Sequence, residues 1–225
     1  MAQLTLDLGH RPAFGREDFL VSPCNAEAVA WLDRWPDWPA PALTVYGAPG
    51  CGKSHLAQVW RARSGASVMA REALVTASLD ERVGAGMAFI VEDADCGLDE
   101  RALLHLYNML AERGGHLLVT SAIAPARLAI KLADLRSRLV AAPAVAVAPP
   151  DEALIGALLV KLFADRQLRV EAELIGFLLA RMERSYEAAC ALVDRLDAAA
   201  LAARRRITVP LAREVLSRIG STERT

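Results

Sequence analysis

Leu43-Thr44-Val45-Tyr46-Gly47-Ala48-Pro49-Gly50-Cys51-Gly52-Lys53-Ser54-His55-Leu56 is the stretch on which the fold turns. An apolar strand pattern runs into a glycine-rich loop, and a helical pattern opens at Lys53 and continues to about Arg63. Residues 47–54 fit G-x-x-x-x-G-K-S between a strand and a helix, the setting this motif requires. Glycines let successive N–H groups turn inward around phosphate oxygens. The helix N-terminus adds the positive end of its dipole. Lys53 can reach the β- and γ-phosphates, and Ser54 offers a hydroxyl to Mg2+. The loop therefore predicts a nucleoside-phosphate site. Lys recurs only at 131 and 161 in a chain whose other bases are all Arg, which sets Lys53 apart.

Outward from the loop, apolar runs at 67–70, 87–91, 116–120 and 144–147 alternate with helical patterns at 99–113 and 126–140. Leu103, Leu106, Tyr107 and Leu110 repeat at helical spacing. A helix from Ala26 to about Arg34, capped by Asn25, comes before the connector WPDWPAP at 35–41. Short, continuously apolar strands alternating with helices predict an α/β fold, a parallel sheet covered on both faces. Past Pro149-Pro150 the pattern changes to helices alone, near 151–165, 171–181, 185–203 and 210–218. Tyr186, Ala189, Val193, Leu196 and Ala200 form one apolar stripe. The expected organisation is an irregular, flexible segment over 1–16, an α/β domain over 17–149 and a small C-terminal helical domain over 150–225.

Composition narrows the function. Basic residues number 26 and acidic residues 27, for a net charge of −1, which argues against a dedicated nucleic-acid binder. No apolar run is long enough to span a bilayer. MAQLTLDLGH at 1–10 lacks the pattern of a secretory signal, so a cytoplasmic protein is expected. Cys24, Cys51, Cys96 and Cys190 show no C-x-x-C spacing, which argues for reduced thiols and against zinc. Trp31, Trp35 and Trp38 fit a structural plug beside the proline connector better than a binding face.

Other residues are candidates by position. The run at 87–91 ends in Glu92-Asp93, where a phosphate site needs a carboxylate near its metal. Glu92 would orient Mg2+ and its waters, and Asp93 would polarise an attacking water. Thr120-Ser121 closes another strand and could contact a terminal phosphate, although small polar residues commonly end strands. Arg136 and Arg138 could each offer a guanidinium to a neighbour's phosphate or simply pair within their own helix. Arg184 could fold over the phosphates or lie solvated beside Glu183 or Glu187.

Taken in order, the glycine loop, acidic strand end, polar strand end, Ser137-Arg138 pair and helical lid with Arg184 resemble the AAA+ ATPases. Within them, GAPGCGKSHL at 47–56 looks like the branch containing DnaA and DnaC. Residues 17–220 resemble the nucleotide-binding core and lid of the initiator DnaA. The segment between Lys53 and Glu92 is shorter than in initiators, and no basic DNA-reading domain is expected after the lid. What remains resembles the Hda family of DnaA-related regulators. Gln3-Leu4-Thr5-Leu6-Asp7-Leu8 looks like that family's clamp-binding peptide: Gln3 would hydrogen-bond while Leu4, Leu6 and Leu8 enter an apolar groove.

The resemblance implies roles for single residues. Phe19, Leu20, Val21 and Asn25 would border adenine, and Gly47, Ala48, Pro49, Gly50, Cys51, Gly52, Lys53, Ser54, His55 and Leu56 would hold the phosphates of ADP or ATP. Ser54 and Glu92 would face Mg2+, Thr120 and Ser121 would be the first sensor, and Arg184 the second. Arg138 would be a finger acting on a partner's nucleotide. The activity implied is stimulation, on the sliding clamp, of hydrolysis of DnaA-bound ATP, which prevents re-initiation. Self-association is also possible, whereas sequence-specific DNA binding and membrane attachment are not expected. Glu92 stands where Asp is usual, so the chain reads as an activator more than an efficient ATPase. A DnaC-type helicase loader and a small P-loop phosphotransferase are the alternative readings.

Overall fold

Ala42–Tyr46 forms β1, the strand that feeds the glycine loop, in a computed structural model that describes residues 20–76 and 79–222. It lies between parallel neighbours β4 (His116–Ser121) and β5 (Ala144–Ala146). With β2 (Ser67–Val68) and β3 (Ala88–Val91) the sheet order is β2-β3-β4-β1-β5, and every pairing is parallel. Alternate side chains of these strands serve opposite faces. Leu43, Val45, Ile90, Leu118 and Val145 pack beneath α1 (Ala26–Asp33) and α2 (Lys53–Ser64). Phe89, Val91, Leu117 and Val119 pack against α3 (Leu79–Val83), α4 (Glu100–Arg113) and α5 (Ala133–Ala141). The sheet covered on both faces is as the sequence predicts.

The lid holds a separate core. α6 (Glu152–Asp165), α7 (Ala172–Leu179), α8 (Tyr186–Ala203) and α9 (Val209–Thr222) bury Leu154, Ile155, Leu159, Phe163, Leu174, Leu178, Leu196 and Leu211 among themselves. All five residues of the predicted Tyr186–Ala200 stripe are buried there. Leu20 and Cys24 pack against this core, and Ala148 N–H donates to Cys24 O at 3.0 Å. The entry segment therefore laces the lid to the end of β5. No described helix is long and apolar enough to cross a membrane.

Several expectations are corrected. Asn25 precedes α1 but makes no side-chain cap. Its Oδ1 accepts from Ser22 N–H at 2.9 Å and its Nδ2 donates to Leu20 O at 3.0 Å, so the amide folds the entry segment instead. The strand expected over 67–70 stops at Val68, because after Met69 N–H bonds Ile90 O the chain turns into a 3-10 helix at Arg71–Ala73. Asp99 lies outside α4 and caps it, accepting from the N–H groups of Arg101 and Ala102. The region 126–140, expected as one or two short helices, holds a 3-10 turn at Pro125–Arg127 and α5, in agreement with that reading. The tryptophan plug is as expected: Trp38 stacks on Trp60 with ring centroids 5.4 Å apart, Trp35 meets Trp60 edge-on, and Trp38 Nε1 donates to Trp31 O. His116 at the start of β4 faces Trp35 and Trp38 and bonds to Pro36 O at 2.9 Å. Trp60 is 1% exposed at the centre of this cluster. Trp60→Ala should cost about 3–5 kcal/mol, measured as a lowered denaturation midpoint in urea.

Candidate functional site

The loop after β1 is shaped by close approaches that only glycine allows. A Cβ on Gly47 would lie 2.2 Å from Val147 O, at the end of β5. Gly50 and Gly52 have φ of +74° and +102°, a left-handed region that side chains disfavour. A Cβ on Gly50 would meet Ser185 Cβ at 2.7 Å, and one on Gly52 would meet the Tyr186 ring at 2.9 Å. Leu56 N–H closes back on Gly52 O at 3.0 Å, which leaves the N–H groups of Lys53 and Ser54 ahead of it at the mouth of α2. Lys53 is 8% exposed, donates to Gly47 O at 2.8 Å and Ala48 O at 3.1 Å, and forms no ion pair among the described residues. A buried ammonium without a carboxylate partner, set at a helix N-terminus, calls for an anion.

The acidic strand end divides its labour by orientation. Glu92 Oε1 is buried without a hydrogen-bond partner, whereas the Asp93 side chain is exposed. Asp93 has φ of +52°, and its N–H donates to Thr120 Oγ1 at 3.1 Å. Ala94 N–H donates to Thr120 O, and Gly47 N–H donates to Ser121 O at 3.1 Å. Ser121 Oγ donates to Ile123 O at 2.7 Å, which occupies its proton. Thr120 and Ser121 thus join the glycine loop and the acidic loop to β4. No group of three or more His, Cys, Asp or Glu that could hold a metal occurs among the described residues. Mg2+ here would take Ser54, whose side chain is exposed, and Glu92, with phosphate oxygens and water completing its shell. The unpartnered Glu92 oxygen fits that role.

The lid meets the loop through α8. Ser185 caps the helix, its Oγ accepting from Ala188 N–H at 3.1 Å, while Tyr186 N–H donates to Gly50 O at 3.3 Å. The Tyr186 ring stacks on His55, with centroids 5.7 Å apart and planes 17° from parallel. Burial first, and the charge of Lys161 second, hold the His55 imidazole below its ordinary pKa. The Tyr186 phenol is pushed up to about 12, chiefly by burial and then by Cys24, with Asn25 opposing. Burial likewise raises Cys51 against the pull of Lys53, which keeps it a protonated, unreactive thiol.

The predicted site residues are therefore not all gathered. Gly47, Gly50, Cys51, Gly52, Lys53 and Ser54 lie in one loop tied to Ser121 through Gly47 N–H, and Thr120 accepts from the N–H of Asp93, the neighbour of Glu92. Leu56 is 1% exposed and belongs to the core, so only its backbone serves the loop. Arg184 pairs with Glu152 on the first turn of α6, its Nη2 donating to Oε2 at 2.7 Å, and both side chains are exposed. Ser185 and Tyr186 make the contact between lid and loop. The signal for them was present, since Ser185 precedes the long apolar stripe as a helix cap would. Phe19, like Gln3, Leu4, Leu6 and Leu8, lies outside the described residues.

Arg138 is exposed on α5 and forms no ion pair among the described residues. Its guanidinium lies 5.5 Å from the centroid of Tyr107.

Comparison with known proteins gives two concordant results. Residues 151–216 match the family described as Hda, lid domain. The chain is similar to domain III of the Thermotoga maritima replication initiation protein DnaA, at 18% identity and a TM-score of 0.76, over 92% of this chain and 97% of that one. It is also similar to AMPPCP-bound DnaA from Aquifex aeolicus, at 16% identity and a TM-score of 0.70, over 96% of this chain and 71% of that one. The Thermotoga maritima RuvB Holliday junction branch migration motor matches at 15% identity and a TM-score of 0.64, over 79% of this chain and 61% of that one.

Gly52→Ala places a methyl group against Tyr186 at an unfavourable φ. Nucleotide affinity measured by titration calorimetry should fall at least about tenfold, a lost contact worth roughly 1.4 kcal/mol, with the circular dichroism spectrum unchanged. The raised Tyr186 phenol stabilises the native state below the ordinary tyrosine pKa of about 10. That contribution is lost as pH rises towards 12, so Tyr186→Phe should flatten the alkaline fall in stability across this window.

Proposed function

We propose that the chain, a DnaA-related AAA+ protein with a Hda-type lid, regulates replication initiation by acting on the ATP bound to DnaA. In this reading it holds ADP or ATP in its own loop and docks on the sliding clamp through Gln3, Leu4, Leu6 and Leu8. It then presents Arg138 to the nucleotide of a DnaA subunit, and the stimulated hydrolysis prevents a second initiation. The observation that carries the reading is Arg138 itself: exposed, without a carboxylate partner, and resting on an aromatic face. A guanidinium stays charged at any physiological pH and presents planar paired donors to phosphate oxygens. Placed at a neighbour's terminal phosphate, it stabilises the charge that develops on hydrolysis, a contribution of about 10³–10⁵ in rate for such fingers.

The chain's own nucleotide has a different part. Lys53 and the amides at the mouth of α2 bind its phosphates, and Glu92 with Ser54 faces Mg2+, which neutralises phosphate charge when bound. The Asp93 side chain is exposed, and Ser121 has its proton on Ile123 O. These features support a nucleotide that organises the domain and lid more than one that is turned over quickly. The same geometry would let a second copy of the chain pack in DnaA's place.

In a clamp-loaded DNA assay, Arg138→Ala should reduce stimulated DnaA hydrolysis by at least about 10³-fold and leave ADP binding intact, whereas Arg136→Ala should retain stimulation. Full stimulation by the Arg138 variant would overturn the reading. Deleting residues 3–8 should abolish clamp pull-down and spare nucleotide binding, and a surviving pull-down would refute the clamp peptide.

A further inference from the structure

We propose that Glu100 and Tyr107, both on α4, are the positioning residues that aim Arg138. The proposal rests on the reading of Arg138 as a finger and concerns how that finger is held. α5 begins without a cap of its own, since Leu132 at its N-cap position has no side chain that could accept a hydrogen bond. Glu100 supplies the missing acceptor from outside the helix. Its Oε1 accepts from Lys131 N–H at 3.0 Å and its Oε2 from Leu132 N–H at 2.7 Å. A carboxylate held by two backbone N–H groups also sits at the positive end of the α5 dipole, where negative charge is favoured. This bidentate clasp fixes where α5 starts relative to α4.

Tyr107 acts two turns further along the same helix. It is buried, and the Arg138 guanidinium lies over its ring at 5.5 Å. The ring face attracts a cation without neutralising it, so the guanidinium keeps its charge for a phosphate while losing rotamer freedom. Arg136, two residues away, has no such platform and no ion pair among the described residues. The aromatic platform thus distinguishes the arginine that is aimed from the one that is solvated. Glu100 fixes the helix and Tyr107 fixes the side chain.

Glu100 also links this clasp to the nucleotide side of the molecule. It stands next to Asp99, the cap of α4, at the end of the loop that begins at Glu92 and is tied to β4 by Thr120. Asp95 Oδ1 accepts from Ala122 N–H at 2.7 Å, a second tie between that loop and β4. The aim of Arg138 is therefore set by the same loop that carries Glu92.

The test measures DnaA ATP hydrolysis against the concentration of this protein on clamp-loaded DNA, for Glu100→Ala, Glu100→Gln, Tyr107→Leu and Tyr107→Phe, with Arg138→Ala alongside. Each variant is also scored for its unfolding midpoint and ADP affinity. Glu100→Ala and Tyr107→Leu should lower the maximal rate about tenfold or more, the scale of a misplaced catalytic group. The concentration for half-maximal stimulation and the ADP affinity should stay unchanged. Tyr107→Phe keeps the ring and should keep most of the rate, and Glu100→Gln keeps one acceptor and should fall between. Unchanged maximal rates in Glu100→Ala and Tyr107→Leu, with Arg138→Ala inactive, would overturn this inference and leave the finger standing. So would a Tyr107→Phe loss equal to that of Tyr107→Leu, or losses that only track unfolding or weaker assembly. Full activity of Arg138→Ala would overturn the finger itself.

Discussion

The geometry of the candidate site depends on where β1 ends. A strand hydrogen-bonded to parallel neighbours on both sides has no free edge, and its chain must leave the sheet at the carboxyl end. At that end Gly47 is pressed against Val147 and donates to Ser121 O, so both neighbouring strands fix the first residue of the loop. The remaining loop has little room to choose another path. Gly50 and Gly52 take left-handed conformations, and α2 starts at Lys53 with its N-terminus over the same crevice. The candidate site thus lies where open parallel sheets generally place their ligands, beyond the carboxyl ends of adjacent strands.

The lid is attached to that loop by contact as well as by chain. Tyr186 packs its ring over Gly52 and His55 while its N–H reaches Gly50 O, so the loop geometry and the seat of α8 specify each other. The arrangement has a consequence in acid as well. The His55 imidazole is held below its ordinary pKa, so its contribution to stability is present above about pH 6.5 and is lost as pH falls through the lowered value. Both faces of the stack thus favour uncharged rings. The lid has a core of its own, centred on Phe163, Leu178 and Leu196.

Much of the fold was legible because burial on both faces of a parallel sheet leaves unbroken apolar runs. Phe89, Ile90 and Val91, or Leu117, Leu118 and Val119, announce a buried strand without any partner being known. The loop was legible because its chemistry is local, with every part of it inside residues 47–54. What escaped notice was either short or distant. α3, at Leu79–Val83, is too brief for a helical period to show. The Arg184–Glu152 pair spans 32 residues, and composition cannot say which carboxylate an arginine meets. Asn25 has the right residue type for a helix cap, yet its amide bonds to Ser22 and Leu20, because a cap residue can satisfy the entry segment as easily as the helix. The platform under Arg138 joins two helices, and no one-dimensional spacing displays it.

The glycine loop, the lid seat and the helix that carries Arg138 are thus parts of one frame. β4 holds the acidic loop through Thr120, that loop leads into α4, and α4 clasps the start of α5 through Glu100. The protein's proposed work is done at the far end of this frame, on a nucleotide it does not itself bind. The most direct measurement is a cryo-electron microscopy structure of this protein with DnaA carrying a non-hydrolysable ATP analogue on clamp-loaded DNA. The account predicts the Arg138 guanidinium within hydrogen-bonding distance, about 3 Å, of the terminal phosphate held by DnaA. A complex in which α5 faces solvent, with that phosphate met by other residues, would contradict it.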